Sequence, residues 1–324
     1  MMNSYFYIPV FFIIATIYIK IAENFNIVDK PNHRSSHSTP TIRGGGILFY
    51  ISILTFFFIS QFQYPYFILG ISLIAFVSFI DDIITLSSNV RLPFQFLAIG
   101  LCLFQVGLPI NNLFVVIPLL IIGVGFINIY NFMDGINGIT GLYTIVNLVF
   151  IYLINANERI INESLIVYVL ISVIVFGFYN FRKKARMFSG DIGSISLAVL
   201  LFFIGVSFIR ELEAPILILM MVVYGTDALI TLAYRKFIGE KITEAHRKHI
   251  YQKMVHVLKI PHLSVAFIYT FFQLVINFVV YLYYKKPIDV QLYITILVIS
   301  ISVLLYYLAF KYIEKREIEN DYLN

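Results

Sequence analysis

Eleven apolar stretches follow one another along the chain, at residues 4–22, 46–60, 64–80, 92–106, 113–129, 141–155, 164–181, 192–209, 214–233, 263–284 and 289–311. A helix that crosses the hydrocarbon core of a bilayer needs about 20 such residues, with a range of roughly 17–25. Inside lipid every backbone N–H and C=O must be paired within the protein, so a chain patterned this way folds as spanning helices. Composition closes the other routes. Hydrophobic residues make up 60% of the 324 and charged residues 13%, against about 45–50% and about 25% in a soluble domain. The expected fold class is all-α, a polytopic transmembrane helix bundle of about eleven spans forming a single domain over 1–324. The first stretch lacks a basic leader and a small-residue cleavage site, and reads as a retained span. One cysteine, Cys102, excludes an intrachain disulfide and a cysteine metal cluster.

Charge placement sets the expected orientation. Nineteen of the 23 Lys and Arg residues fall in alternate connections, at 20–45, 81–91, 130–140, 182–191, 234–262 and 311–324. The other connections hold only Arg159, Arg210, Lys285 and Lys286. Positive loops stay in the cytoplasm, which predicts an external amino terminus and a cytoplasmic carboxyl terminus. The net charge of +5 is thereby explained by a membrane, with no nucleic-acid partner. All six histidines share the basic side. Any chemistry is therefore expected there, in loops near 23–45, 81–91, 130–140, 182–191 and 234–262.

Five polar constellations stand in those loops. The first runs from Asp29 through Arg34 and His37 to Arg43, then Gly44, Gly45 and Gly46. Glycines at a helix start let backbone amides approach an anion, and the arginines and histidine add donors. The second is Asp81-Asp82, at the inner end of a span. Adjacent helical residues point about 100° apart, so the two acids cannot serve one ligand equally. The third, Asn128 to Gly141, alternates Asn128, Asn131, Asp134 and Asn137 with glycines including Gly135. Such a run exceeds what one turn needs and suits hydroxyl or nucleobase recognition. The fourth is Phe188-Ser189-Gly190-Asp191, opening a span, where Asp191 either caps the helix or holds a metal. The fifth contains His246-Arg247-Lys248-His249; on a helix, the two histidines would share a face. Asp227, deeper in the ninth stretch, is functional or salt-bridged by default, with Arg235 its nearest partner in sequence. Carboxylates, glycine turns and basic groups together suit a magnesium-bound pyrophosphate.

These motifs, in this order, resemble the polyprenyl-phosphate N-acetylhexosamine-1-phosphate transferases, glycosyltransferase-family-4-like membrane enzymes. The resemblance covers about residues 1–262 and is nearest to the branch that starts O-antigen and other envelope polysaccharides. It implies transfer of N-acetylhexosamine-1-phosphate from a UDP-sugar to undecaprenyl phosphate, with release of UMP, at the cytoplasmic face of the bacterial inner membrane. It further implies Mg2+, with Mn2+ as a substitute, held by Asp191 with Asp81 and Asp82, one of which serves as base. Asn131, Asp134, Gly135 and Asn137 would line the uridine pocket and Phe188 would stack on uracil. His246, Arg247 and His249, with Arg34, His37 and Arg43, would complete the phosphate site. A homodimer is compatible with this reading. Two departures stand out. Asn137 replaces a frequent aspartate, and Lys183 a frequent proline. The family's cell-wall branch, acting on a muramoyl-pentapeptide nucleotide, typically has consecutive histidines in the last large loop. His246-Arg247-Lys248-His249 lacks them and points to a simple-sugar donor. The rival reading is a transporter or flippase for an anionic solute or lipid-linked sugar, which would place charges near the midplane of several spans.

Overall fold

The structure is a computed structural model that describes residues 4–30, 39–109, 112–241 and 246–323. Arg34 and His37 lie outside the described residues. Twelve α-helices are described: α1 (Tyr7–Asn24), α2 (Ile47–Ile59), α3 (Pro65–Ile83), α4 (Ser88–Val106), α5 (Leu113–Phe132), α6 (Ile139–Glu158), α7 (Glu163–Asn180), α8 (Gly190–Leu212), α9 (Val222–Phe237), α10 (Ile250–His256), α11 (His262–Tyr283) and α12 (Ile288–Leu323). All eleven apolar stretches fall on helices. Ten segments among the described residues are long and apolar enough to cross a membrane. The exception is α2, whose 13 residues reach only about 20 Å, short of a hydrocarbon core. It is packed between α7 and α8.

The most enclosed element is α8, which packs against α2, α3, α4 and α5. Small residues near its start let other backbones close in, as association within lipid requires. At the tightest point a methyl on Gly46 would overlap the Cα of Gly193. Gly46→Ala should therefore cost about 1–3 kcal/mol through overpacking. Gly205→Ala, where an added methyl meets nothing within 4 Å, should be neutral or better. The thermal midpoints of the two variants in detergent check this.

The ninth span is broken: Pro215–Met221 is a 3-10 helix that leads into α9. A break at membrane depth needs other partners for its backbone. Gln273 of α11 donates to the Leu219 carbonyl at 3.0 Å, and the Tyr143 hydroxyl of α6 to the Met220 carbonyl at 3.2 Å. Gln273 also donates to Asn277, which donates to Asn147. The buried amides thus complete a backbone that the helix leaves open.

One end of the bundle carries the motif loops. Strands β1 (Val28–Asp29) and β2 (Thr41–Ile42) pair antiparallel, and Ile42 bridges to Met187 in parallel. The Gly45 and Gly46 amides donate to the carbonyls of Phe188 and Ser189 at 2.8 and 2.9 Å. Expected as anion donors, these amides instead lock the first loop onto the start of α8.

Candidate active site

Three acids from two helices meet two arginines at this end. Asp81 and Asp82 end α3, Asp191 opens α8, Arg91 lies in the first turn of α4, and Arg43 follows β2. Arg43 Nε lies 2.7 Å from Asp82 Oδ1, and its Nη2 lies 3.2 Å from Asp191 Oδ1. Arg91 Nη1 lies 2.8 Å from Asp81 Oδ2 and 2.9 Å from Asp191 Oδ2. Burial opposes charge on Arg43, but Asp82 and Asp191 outweigh it and raise the guanidinium pKa.

The two adjacent acids do diverge. Asp81 accepts the Leu86 amide at 2.6 Å and faces Arg91. Asp82 accepts the amides of Asp191 and Ile192 at 2.8 and 3.1 Å. The capping role weighed for Asp191 thus belongs to Asp82, reaching across from α3. Gly190 makes this approach possible: its φ is +70°, and a methyl there would strike the Asp82 carboxylate. Exposure then separates the acids. The Asp82 side chain is sealed at 0%, Asp81 shows 6% and Asp191 15%, so Asp191 is the most accessible to a ligand.

The donor chemistry suits a hard divalent cation, which takes oxygen ligands. Oxygens of Asp81 and Asp191 already converge on one guanidinium nitrogen, so these two acids are the ones that would hold a cation. Three carboxylates against two guanidiniums leave one negative charge over. Asp82 fits less well, because its oxygens serve α8 and Arg43. Among the described residues, no three acid, histidine or cysteine side chains are gathered around a single point for a metal; Arg43 and Arg91 sit between the acids.

The third constellation lies beside this cluster. Asp134 accepts from Thr140 at 2.6 Å and, through a short bond, from Ser189. Burial pushes its carboxyl above the usual carboxylate range, against the pull of those two hydroxyls. Asn131 accepts from Ser194 of α8 at 2.7 Å. Asn137 donates to the carbonyl of Arg182 at 2.9 Å and ties the basic loop in place. Phe188 is half-buried, its amide bonded to the Ile42 carbonyl at 2.7 Å. Gly135 leaves room for the Tyr251 hydroxyl, which donates to the Phe132 carbonyl at 2.9 Å.

The histidine segment differs from its expected form. Residues 246–249 are not helical, and α10 begins only at Ile250. The rings of His246 and His249 still lie 4.8 Å apart. Burial first, then the neighbours His249 and Arg235, push His246 down to about 4. A neutral imidazole agrees with its Nδ1 accepting the Lys248 amide at 3.2 Å. His246 and Arg247 are half-buried, whereas the His249 side chain, 3% exposed, faces Asp227 Oδ1 at 3.2 Å. The nearest cation in sequence, Arg235, pairs with Glu240 at 3.0 Å, and Glu240 also binds Lys248.

Sequence reasoning passed over Arg91, Ser189 and Thr140 as site residues. Arg91 had a signal, being the lone basic residue in its loop; Ser189 and Thr140 stood inside the fourth and third constellations but were assigned no role.

Comparison with known proteins agrees with the motif reading for the family, but the relatives bear the name of its cell-wall branch rather than of the O-antigen branch. Residues 64–209 match the family model for glycosyl transferase family 4. The chain is 25% identical over 266 residues to the phospho-N-acetylmuramoyl-pentapeptide-transferase of Streptococcus uberis, covering 73% of this chain and 79% of that protein. The protein of the same name from Streptococcus sanguinis is 27% identical over 243 residues, with 66% and 73% covered. For that of Streptococcus suis the match is 27% over 124 residues, with 38% and 37% covered. The family resemblance carried by the motifs is borne out, and the apolar helices together with these relatives indicate an integral membrane protein.

Proposed function

We propose that this chain, whose residues 64–209 match the family model for glycosyl transferase family 4, transfers N-acetylhexosamine-1-phosphate from a UDP-sugar to undecaprenyl phosphate. UMP is released, and the lipid-diphosphate sugar begins an envelope polysaccharide. The observation that carries this reading is the cluster of Asp81, Asp82 and Asp191 with Arg43 and Arg91 at one end of the bundle. By the placement of basic residues, that end faces the cytoplasm of a bacterial inner membrane.

The chemistry is a phosphoryl transfer, in which positioning and charge neutralisation dominate. An oxygen of the acceptor phosphate attacks the β-phosphorus, the bond from that phosphorus to the bridging oxygen breaks, and UMP departs. Arg43 and Arg91 carry the forked guanidinium geometry that pairs with phosphate oxygens. Asp191 and Asp81 would hold Mg2+, which when bound supplies charge neutralisation at the pyrophosphate. Asp82 is sealed behind α8, so of the adjacent pair only Asp81 is open toward the acceptor, as a metal ligand. His246 is the histidine with access to a phosphate. In this reading Asn131 and Phe188 contact the uridine. The carrier alternative is disfavoured, because the acids gather at one end.

Donor choice has two readings. The histidine segment favours a small sugar such as UDP-N-acetylglucosamine or a 6-deoxy relative. The printed names of the relatives favour a muramoyl-pentapeptide nucleotide. We propose the small sugar. Purified protein assayed with undecaprenyl phosphate and each donor at equal concentration should turn over the small sugar preferentially. Preferential use of the pentapeptide donor would overturn the choice of donor, and no turnover with either would overturn the transferase reading.

A further inference from the structure

Asp227 lies inside the bundle, 2% exposed, in the second turn of α9. Five donors converge on its carboxylate. They are the amides of Ile250 and Tyr251 at 3.1 and 3.3 Å, the Tyr269 hydroxyl at 2.6 Å, the Thr231 hydroxyl at 3.2 Å and His249 Nδ1 at 3.2 Å. A group surrounded by donors is an acceptor on both oxygens, so His249 Nδ1 carries a proton toward it. The helix it caps, α10, has seven residues, too few to persist unaided. From α10 the contact continues, since the Tyr251 hydroxyl reaches the Phe132 carbonyl at the space left by Gly135. Asp227 itself touches none of residues 130–138 in these bonds.

We propose that Asp227 is a positioning residue for the donor site. It gathers the start of α10, and through His249 and Tyr251 it holds the histidine segment and the 130–138 loop in one arrangement. This rests on the UDP-sugar reading for its catalytic consequence, but the coupling between the two loops does not. Two variants of the full chain in lipid nanodiscs test it: Asp227→Asn, and the milder Tyr251→Phe, which removes only the hydroxyl that reaches Phe132.

Hydrogen exchange gives the readout that needs no activity. Asp227→Asn should speed exchange about tenfold both in 249–256 and in 130–138, whereas Tyr251→Phe should speed it chiefly in 130–138. Unchanged exchange in 130–138 for both variants overturns the proposal. In turnover, Asp227→Asn should raise the donor KM about tenfold with the acceptor KM unchanged, and the double variant should add little to the larger single effect. Equal rises in both KM values, or additive effects, overturn it as well. If Asp227→Asn fails to fold, Tyr251→Phe alone decides through the same exchange and donor KM. Coupled exchange without turnover on any UDP-sugar would sink the functional reading and leave the coupling standing.

Discussion

Asp191→Asn should lose turnover by about 100-fold to 10,000-fold while the protein still folds. The substitution keeps size and shape but removes the charge of the most accessible acid in the cluster. With Asp191 neutral, Asp81 and Asp82 are balanced by Arg43 and Arg91, and the cluster has one charge fewer to draw a further cation. Losing a charged metal ligand removes several kcal/mol of transition-state stabilisation, and about 1.4 kcal/mol corresponds to tenfold in rate. Stability should change little, because Asp191 accepts no backbone amide among the described residues and an amide oxygen can still face Arg43 and Arg91. The check is kcat against magnesium concentration, alongside the thermal midpoint. Turnover near the parent level at limiting magnesium would remove Asp191 from the metal site.

Asp82→Ala should behave in the opposite order, failing first in stability. Its carboxylate is sealed, holds two amides at the start of α8 and pairs with Arg43. Removing one member of a buried pair costs about 3–5 kcal/mol because the other charge is stranded. Arg43 is 31% exposed and keeps Asp191 at 3.2 Å, so the lower end, about 3 kcal/mol, is expected. Loss of the cap is part of that figure, not an addition to it. The thermal midpoint should drop by several degrees, and magnesium should not restore it. A midpoint equal to that of the parent would mean that α8 does not depend on Asp82.

Much of this architecture is legible in the sequence because bilayer physics is local. Each span must pair its own backbone, so a run of apolar residues reports a helix without reference to its neighbours. The one misfit in length is α2, whose 13 residues pack against α7 and α8. Motif identity was also local: Asp81-Asp82, Asn131 to Gly138 and Phe188 to Asp191 carried the family resemblance before any contact was known. Roles were less legible where a residue type admits several partners. The glycines after Arg43 read as an anion cradle, yet their amides close on Phe188 and Ser189. His246 and His249 read as one helical face, yet they meet in irregular chain.

The sequence by itself therefore determined the class of fold, the sites of the polar loops and the chemical vocabulary at one end of the bundle. Hydropathy, basic residues and motif order act over a few residues at a time. Only the tertiary structure decided which acid caps α8, which acid stays open to a ligand and which cation faces which carboxylate. Asp82 meets the amides of Asp191 and Ile192 across more than a hundred residues, and Asp227 finds His249 rather than Arg235. Those choices follow from how α3, α4, α8 and α9 pack, because an ion pair forms between groups that packing brings within about 4 Å, whatever their separation along the chain.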